Sequence, residues 1–220
     1  MEKKEKGFLY QMAIEVIVIF IGITLALLID SYKERQQSIS EVKNHFSLIS
    51  NEFSKDLIKL KEIKKSAYKK MQTADSLCYY LENGNHILFN NHFKKFEFIQ
   101  IEKYYPRIDE INLVLNSSSF TSIYNKEIFS DLNNLKTDSR IFMMFQENEV
   151  QLINELKNEF IYENLNYKTK TIKISSIKNK NYILNKLEEY VNILSAKSIT
   201  ASSLMEGYSI CIEDVKKTIN

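Results

Sequence analysis

The sequence predicts an all-α protein in which one N-terminal transmembrane helix is followed by an antiparallel helical bundle. Residues that interrupt helices are scarce, because the chain of 220 residues holds only four glycines and one proline. Apolar residues also recur in steps of three and four over long stretches, which is the spacing of one helix face. The first such stretch is preceded by a strongly apolar segment near the N-terminus.

That apolar segment, residues 8–29, contains a single charged residue, Glu15. At the rise of an α-helix it is about 33 Å long, which is enough to cross a hydrocarbon core of about 30 Å. A cleaved signal peptide is the alternative, but the small pair Thr24 and Ala26 is followed directly by more apolar residues. We therefore predict an uncleaved transmembrane helix, preceded by a basic tail over residues 1–7.

Basic residues lie on both sides of this segment, and such residues normally stay in the cytoplasm. Their numbers are nearly equal: Lys3, Lys4 and Lys6 before it, and Lys33, Arg35 and Lys43 after it. Because the tail is short and the segment lies at the start of the chain, we expect the N-terminus to remain inside. This predicts a single-pass protein of the inner membrane whose bulk domain lies on the outer, periplasmic side.

Residues 30–220 are long enough for one helical bundle domain with its own core. We predict a long helix over about residues 40–82 that ends at Asn83-Gly84, where glycine can adopt the left-handed conformation. It either continues the transmembrane helix or bends at residues 38–40. One face of this helix is predicted to be buried, either in the bundle or in a free coiled coil. Its positions alternate in steps of four and three, with one extra step of four after Phe53 and one polar position, Lys64. The predicted stripe consists of Val42, Phe46, Ile49, Phe53, Leu57, Leu60, Lys64, Ala67, Met71, Ala74, Cys78 and Leu81.

The remaining elements follow from periodicity and from signals for helix ends. We predict an irregular link over residues 83–107, short helices within residues 108–136 (one of them over residues 120–124) and a helix over about residues 138–163. The last of these begins after Thr137-Asp138-Ser139, which are residues typical of helix N-caps. A link over residues 164–181 precedes a final helix over about residues 182–217. Three long helices and a cluster of short ones make a bundle.

Glu15 and Gly22 are the candidate site residues of the transmembrane segment. A charge inside a membrane usually marks a function or a buried partner. Three interpretations of Glu15 remain open: a position near the headgroups, a hydrogen bond to another helix, and a carboxylate that responds to protons. Gly22 could let a second helix approach closely, although a single glycine is a weaker signal than a Gly-xxx-Gly pair.

The sequence predicts no catalytic or metal site, and therefore no enzyme activity and no cofactor. Cys78 and Cys211 match no metal or redox spacing; they form either a disulfide in an oxidising compartment or two buried thiols. The histidines His45, His86 and His92 lack the pairing of a metal site. No P-loop or Gly-x-Ser-x-Gly motif is present.

Lysines form two basic runs, one over residues 59–70 and one over residues 168–180. Such runs can bind nucleic acid. Glutamates on another predicted helix can balance the first run across the bundle: Glu147, Glu149, Glu155, Glu159 and Glu163. We therefore predict solvated or ion-paired faces and no nucleic-acid partner.

Two parts of the chain together resemble a known family. The first part is Ala13-Ile14-Glu15-Val16, the stretch Ile19-Phe20-Ile21-Gly22-Ile23, Ala26-Leu27 and the polar exit Asp30-Ser31-Tyr32-Lys33-Glu34-Arg35. The second is Leu115-Asn116-Ser117-Ser118 with Phe120, Ile123, Asn125, Ile128 and Leu132. They resemble a family of Bacteroidota single-span membrane proteins catalogued only as domain of unknown function 6090.

This chain departs from that family at Ser119-Phe120, where glycine is usual, and at Tyr32, where tryptophan is common. The resemblance implies a membrane address and a helical mid-chain element. It implies no activity, because the family has no assigned function.

These observations predict a membrane-anchored helical interaction or scaffold protein without catalytic activity, as part of an envelope complex. Its expected partners are membrane lipid, other membrane or envelope proteins and a second copy of the chain. The alternative is a membrane-anchored sensory bundle that binds a ligand in its core. A third hypothesis, with less support, is a proton-coupled accessory subunit that uses Glu15.

Overall fold

The computed structural model describes residues 2–94, 99–116 and 126–219, and these residues are mostly helical. The predicted all-α class is confirmed. In chain order the elements are α1 (Glu2–Glu82), α2 (His86–Phe93), α3 (Ile108–Leu115), α4 (Lys126–Leu156), a π-helical turn (Lys157–Ile161), α5 (Tyr162–Asn164), strands β1 (Leu165–Asn166) and β2 (Thr171–Ile172), a 3-10 turn (Ile174–Ser176) and α6 (Lys180–Ile219). The two strands form a small antiparallel hairpin that pairs Leu165 with Ile172 and Asn166 with Thr171.

Helix α1 runs without interruption from the N-terminal apolar segment to Glu82. Helical structure continues through residues 38–40, where a bend was the alternative. Side chains over residues 14–37 are exposed, and full burial begins at Val42. Among the described residues, this one helix is long and apolar enough to cross a membrane.

The C-terminus of α1 lies where the sequence predicts it. Gly84 adopts a φ of 65°, a left-handed conformation that residues with a Cβ rarely accept. The Asn85 N–H then donates to the Tyr80 carbonyl over 2.9 Å. The Asn85 side chain accepts a hydrogen bond from the Leu88 N–H and so caps α2. Helix α2 therefore occupies part of the predicted irregular link over residues 83–107.

Helix α6 packs along both α1 and α4. Phe53 of α1 stacks on Tyr208 with ring centroids 4.4 Å apart, and Lys180 donates to the carbonyl of Glu82. The earlier residue of α1, Phe53, therefore contacts the later part of α6, and the end of α1 contacts the start of α6. The two helices run in opposite directions. Gly207 allows α4 to approach closely, because a Cβ there would lie 3.0 Å from Leu135 Cδ1.

The buried positions of α1 follow an unbroken heptad spacing, which differs from the predicted stripe. Buried Asp56, Ile63, Lys70 and Leu77 replace the predicted Leu57, Lys64, Met71 and Cys78. The extra step of four was wrong, because it passes over the polar core position Asp56 and shifts every second later position by one residue. The buried or half-buried heptad positions of α1 are Val42, Phe46, Ile49, Phe53, Asp56, Leu60, Ile63, Ala67, Lys70, Ala74, Leu77 and Leu81.

Helix α4 is longer than predicted at its N-terminus. The predicted helix start after Thr137-Asp138-Ser139 is wrong, because α4 continues through these residues from Lys126. Ser139 is fully buried, and the Thr137 hydroxyl donates to the Asn133 carbonyl inside the helix instead of capping it. At the other end, the last part of the predicted helix is the π-helical turn and α5. The short helix predicted over residues 120–124 lies outside the described residues.

The segment between α5 and α6, predicted as a link over residues 164–181, contains the hairpin and the 3-10 turn. Asn90 of α2 attaches the hairpin, because its side-chain amide accepts from the Ile172 N–H over 2.7 Å and donates to the Ile172 carbonyl over 2.9 Å. Helix α6 begins two residues before the predicted position 182 and ends at Ile219. The hairpin thus closes the end of the bundle that lies farthest from the apolar segment.

Candidate functional site

One completely buried carboxylate joins the three long helices. Glu149 of α4 has no exposed surface. Its Oε1 lies 3.1 Å from Lys70 Nζ of α1, and its Oε2 lies 2.5 Å from Lys197 Nζ of α6. We call these three residues the charged layer. All three occupy core positions of the heptad spacing, so the register of the helices brings them together.

The charged layer contains two lysines and one carboxylate that are almost completely buried. Burial lowers the pKa of Lys197, because desolvation disfavours an ammonium, and the charge of Glu149 opposes this effect. Burial also raises the pKa of Tyr190, and the neighbouring Glu149 adds to the shift. Taking charges out of water costs several kcal/mol for each ion unless good partners compensate. Only the observed stagger of the three helices supplies those partners.

A second polar group, the tyrosine layer, holds the segment before α3 against the bundle. The hydroxyls of Tyr104 and Tyr208 lie 2.8 Å apart. Gln146 accepts a hydrogen bond from the Tyr104 backbone N–H, also over 2.8 Å. Burial raises the pKa of both phenols, that of Tyr208 to about 12. Tyr104, Gln146 and Tyr208 therefore act as neutral hydrogen-bonding groups at ordinary pH.

Arg107 lies at the edge of the bundle and joins α1 to α3. Its guanidinium contacts Glu52 at 2.6 Å, Asp56 at 3.0 Å and Glu110 at 3.3 Å. A groove of about 380 Å³ lies next to it and is lined mainly by apolar residues of α1 and α3. Because Asp56 is 6 % exposed, Arg107 supplies the partner that this buried carboxylate needs.

The predicted membrane contact residues lie on an exposed part of α1. Glu15 is exposed, and a Cβ built on Gly22 would meet no described atom within 4 Å. The structure therefore brings neither residue to another described helix of this chain.

Of the two alternatives for Cys78 and Cys211, the disulfide is wrong within one chain, because both cysteines are free. Cys78 packs against the core cluster at the hairpin end, whereas Cys211 belongs to the cluster that contains Val42. A disulfide needs Cα atoms within about 7 Å. Burial raises the pKa of each thiol to about 12, which keeps both protonated.

We expect two free thiols for each chain in the purified protein. The Cys78→Ala and Cys211→Ala variants should each lose one thiol in a thiol titration after denaturation. In the native state both thiols should react slowly with maleimide, because little thiolate is present at neutral pH. A protein that shows no titratable thiols after denaturation without a reducing agent would contradict this arrangement.

The three histidines lie in separate surroundings. His45 lines the groove beside Arg107, His86 accepts a hydrogen bond from the Ile174 N–H over 3.3 Å, and the His92 ring lies 5.3 Å from that of Tyr80. In the part of the chain that the structure describes, no group of three His, Cys, Asp or Glu residues could hold a metal ion.

No family model, no curated protein and no solved structure matches this chain. The resemblance to domain of unknown function 6090 therefore remains a proposal.

Proposed function

We propose that this protein is a single-pass, membrane-anchored helical scaffold that acts through protein contacts and not through catalysis. The observation that carries the proposal is the continuity of α1, which extends from the exposed apolar segment to the hairpin end of the bundle. We further propose that the bundle is antiparallel. This is supported by the opposite directions of α1 and α6.

The exposed apolar surface of α1 supports the membrane anchor. Large apolar side chains from Ile14 to Ile29 are exposed, for example Phe20 at 71 %. A contiguous apolar surface of this kind is rare on soluble monomers and marks an interaction with a membrane or a protein. Together with the basic tail, it supports a location in the bacterial inner membrane with the bundle on the periplasmic side.

The filled interior of the bundle favours a scaffold over a sensor that binds its ligand in the core. Aromatic side chains with almost no exposed surface occupy the centre, among them Phe53, Phe142 and Tyr190. Glu149, the one fully buried carboxylate among the described residues, is already paired with two lysines. A ligand would have to displace these contacts to enter the core.

The rigid connection between anchor and bundle gives the scaffold a defined geometry. Residues 30–41 link the apolar segment to the buried stripe as about 18 Å of continuous helix. A helix of this kind holds the bundle at a fixed distance from the membrane and transmits a tilt of the anchor to the bundle. This suits a protein that positions other envelope components.

We propose that the apolar segment of α1 contacts another transmembrane helix, which belongs to a second copy of the chain or to an envelope protein. Glu15 and Gly22 are both exposed on α1 and available for such a contact. A carboxyl group in the membrane is best satisfied by a hydrogen bond from a neighbouring helix. Glutamine at position 15 preserves that hydrogen bond, whereas leucine removes it.

Co-purification of tagged and untagged copies, followed by mild cross-linking and mass spectrometry, tests the proposal. We expect Glu15→Gln to retain the partners and Glu15→Leu to lose them, with Ile19→Leu as the matched control. Carbonate washing should leave all these variants in the membrane pellet. Unchanged partners in the Glu15→Leu variant would remove the contact at Glu15, and a soluble full-length protein would contradict the anchor.

A further inference from the structure

A cationic cavity lies at the hairpin end of the bundle. Its volume is about 720 Å³, within the range of about 300–1,000 Å³ that is typical of small-molecule sites. Lysines from three different segments line it: Lys94 after α2, Lys157 of the π-helical turn and Lys170 of the hairpin. The three lysines belong to separate parts of the sequence and come together only in the folded chain.

Among the described residues that line the cavity, every charged side chain is a lysine. Besides the three lysines, the lining residues are neutral: Ile99, Ile161, Tyr162, Leu165 and Thr169. None of the three lysines forms an ion pair with a described carboxylate. Lys170 Nζ lies over the Tyr167 ring, 5.8 Å from the ring centroid. A cavity with these properties attracts anions.

The floor of the cavity is apolar. Ile161 is 3 % exposed and belongs to the core cluster, and Leu165 and Ile99 pack against that cluster while remaining partly accessible. Because inorganic anions gain nothing from such a surface, the floor favours a ligand that also carries apolar atoms. The combination of an apolar floor and converging charges is typical of ligand pockets.

Two departures from regular backbone structure shape this cavity. The π-helical turn Lys157–Ile161 presents both Lys157 and Ile161 to it. Lys170 has a φ of 53°, a left-handed conformation that is unfavourable for a lysine. Both π-helical turns and strained residues are concentrated at functional sites.

We propose that this cavity binds a small organic anion. Its carboxylate or phosphate contacts Lys94, Lys157 and Lys170, and its apolar body lies on Ile161 and Leu165. The cavity lies about 80 Å along α1 from the apolar segment, so the lipids of the anchoring membrane do not reach it. The site goes beyond the scaffold function and gives the protein a ligand that is bound at the surface instead of in the core.

Calorimetric titration of the full chain in phosphatidylcholine nanodiscs tests the site, with empty nanodiscs as the reference. The probe is naphthalene-2-carboxylate, and its neutral carboxamide and inorganic phosphate are the comparison ligands. We expect the carboxylate to bind, and the carboxamide and phosphate each to bind at least about tenfold more weakly. That factor corresponds to the loss of a charge-assisted contact or of the apolar contact.

Variants then locate the bound probe. Lys157→Gln combined with Lys170→Gln should weaken binding of the carboxylate at least about tenfold, and the matching Lys→Arg pair should retain it. Lys168→Gln combined with Lys178→Gln is the control, because these lysines belong to the same basic run but do not line the cavity. Thermal unfolding of each variant checks that the fold is preserved.

Three results would overturn the proposal. They are no binding of the carboxylate, equal binding of the carboxamide, and unchanged carboxylate binding in the Lys157→Gln and Lys170→Gln pair. If phosphate binds as tightly as the carboxylate, the apolar floor makes no contribution and the assignment to organic anions is wrong. The scaffold proposal is independent of each of these results, because it depends on the anchor and its partners.

Discussion

Glu149→Gln is expected to lower the free energy of unfolding of the bundle by about 3–5 kcal/mol, the usual loss when one partner of a buried ion pair is removed. The neutral amide leaves Lys70 and Lys197 buried, at 5 % and 2 % exposure, without the anion that both contact. Denaturant unfolding of the full chain in detergent, followed by circular dichroism, measures the loss. Glu147→Gln is the matched control, because Glu147 is exposed on the same helix and should change stability by less than about 0.5 kcal/mol.

Removing all three charges together separates the cost of unpaired lysines from the contribution of the charged layer. The triple variant Lys70→Met, Glu149→Leu and Lys197→Met should recover most of the stability that Glu149→Gln loses, since apolar residues of similar size often replace a buried ion network without loss. A loss below about 1 kcal/mol in Glu149→Gln would mean that the lysines reach water and that the layer is not buried.

Phe53→Ala should destabilise the bundle by about 3–5 kcal/mol, the usual cost of removing a buried phenylalanine ring. Phe53 is 1 % exposed and stacks on Tyr208, so the truncation leaves a cavity between α1 and α6. The same unfolding measurement applies. Ile58→Ala is the control on α1, because Ile58 is 64 % exposed and should contribute less than about 0.5 kcal/mol. A loss below about 1 kcal/mol for Phe53→Ala would place this face of α1 outside the core.

The register of α1 shows what periodicity could and could not predict. The sequence correctly indicates the long helix, its end at Gly84 and the burial of Phe46 and Phe53. From Leu57 onward every second predicted position is one residue too late, because the search for apolar residues passed over polar Asp56 and kept the shifted step. The positions between them, Leu60, Ala67, Ala74 and Leu81, are buried as predicted. An unbroken spacing of four and three, continued from Val42, would have predicted both Asp56 and Lys70 at core positions.

The charged layer was predictable only in part. Acidic residues near Glu149 were expected to balance the first lysine run across the bundle, and the Lys70–Glu149 pair does so. Glu155 instead pairs with Lys186 of α6 at 2.8 Å. The partner Lys197 could not be found from sequence, because its approach to Glu149 depends on the stagger of α6 against α4.

Local signals also failed where tertiary packing decides the structure. Thr137-Asp138-Ser139 has the composition of a helix N-cap, yet Ser139 is buried at a core position of a continuous helix. The lysine run over residues 168–180 was predicted to be a solvated or ion-paired face. Its Lys170 lines the same cavity as Lys94 and Lys157, which lie in distant parts of the sequence.

One continuous helix connects the proposed membrane anchor to the bundle, and a distance measurement between two spin labels tests its rigidity most directly. Labels at exposed Lys33 and Lys65, in a Cys78→Ala and Cys211→Ala background in nanodiscs, flank the junction between the anchor and the buried stripe. Labels at exposed Asn51 and Asp75, both within the bundle, provide the control distance of about 36 Å. A continuous helix predicts a narrow distribution near 48 Å for the first pair. A broad distribution, or one centred below about 40 Å with the control pair unchanged, would contradict a rigid connection.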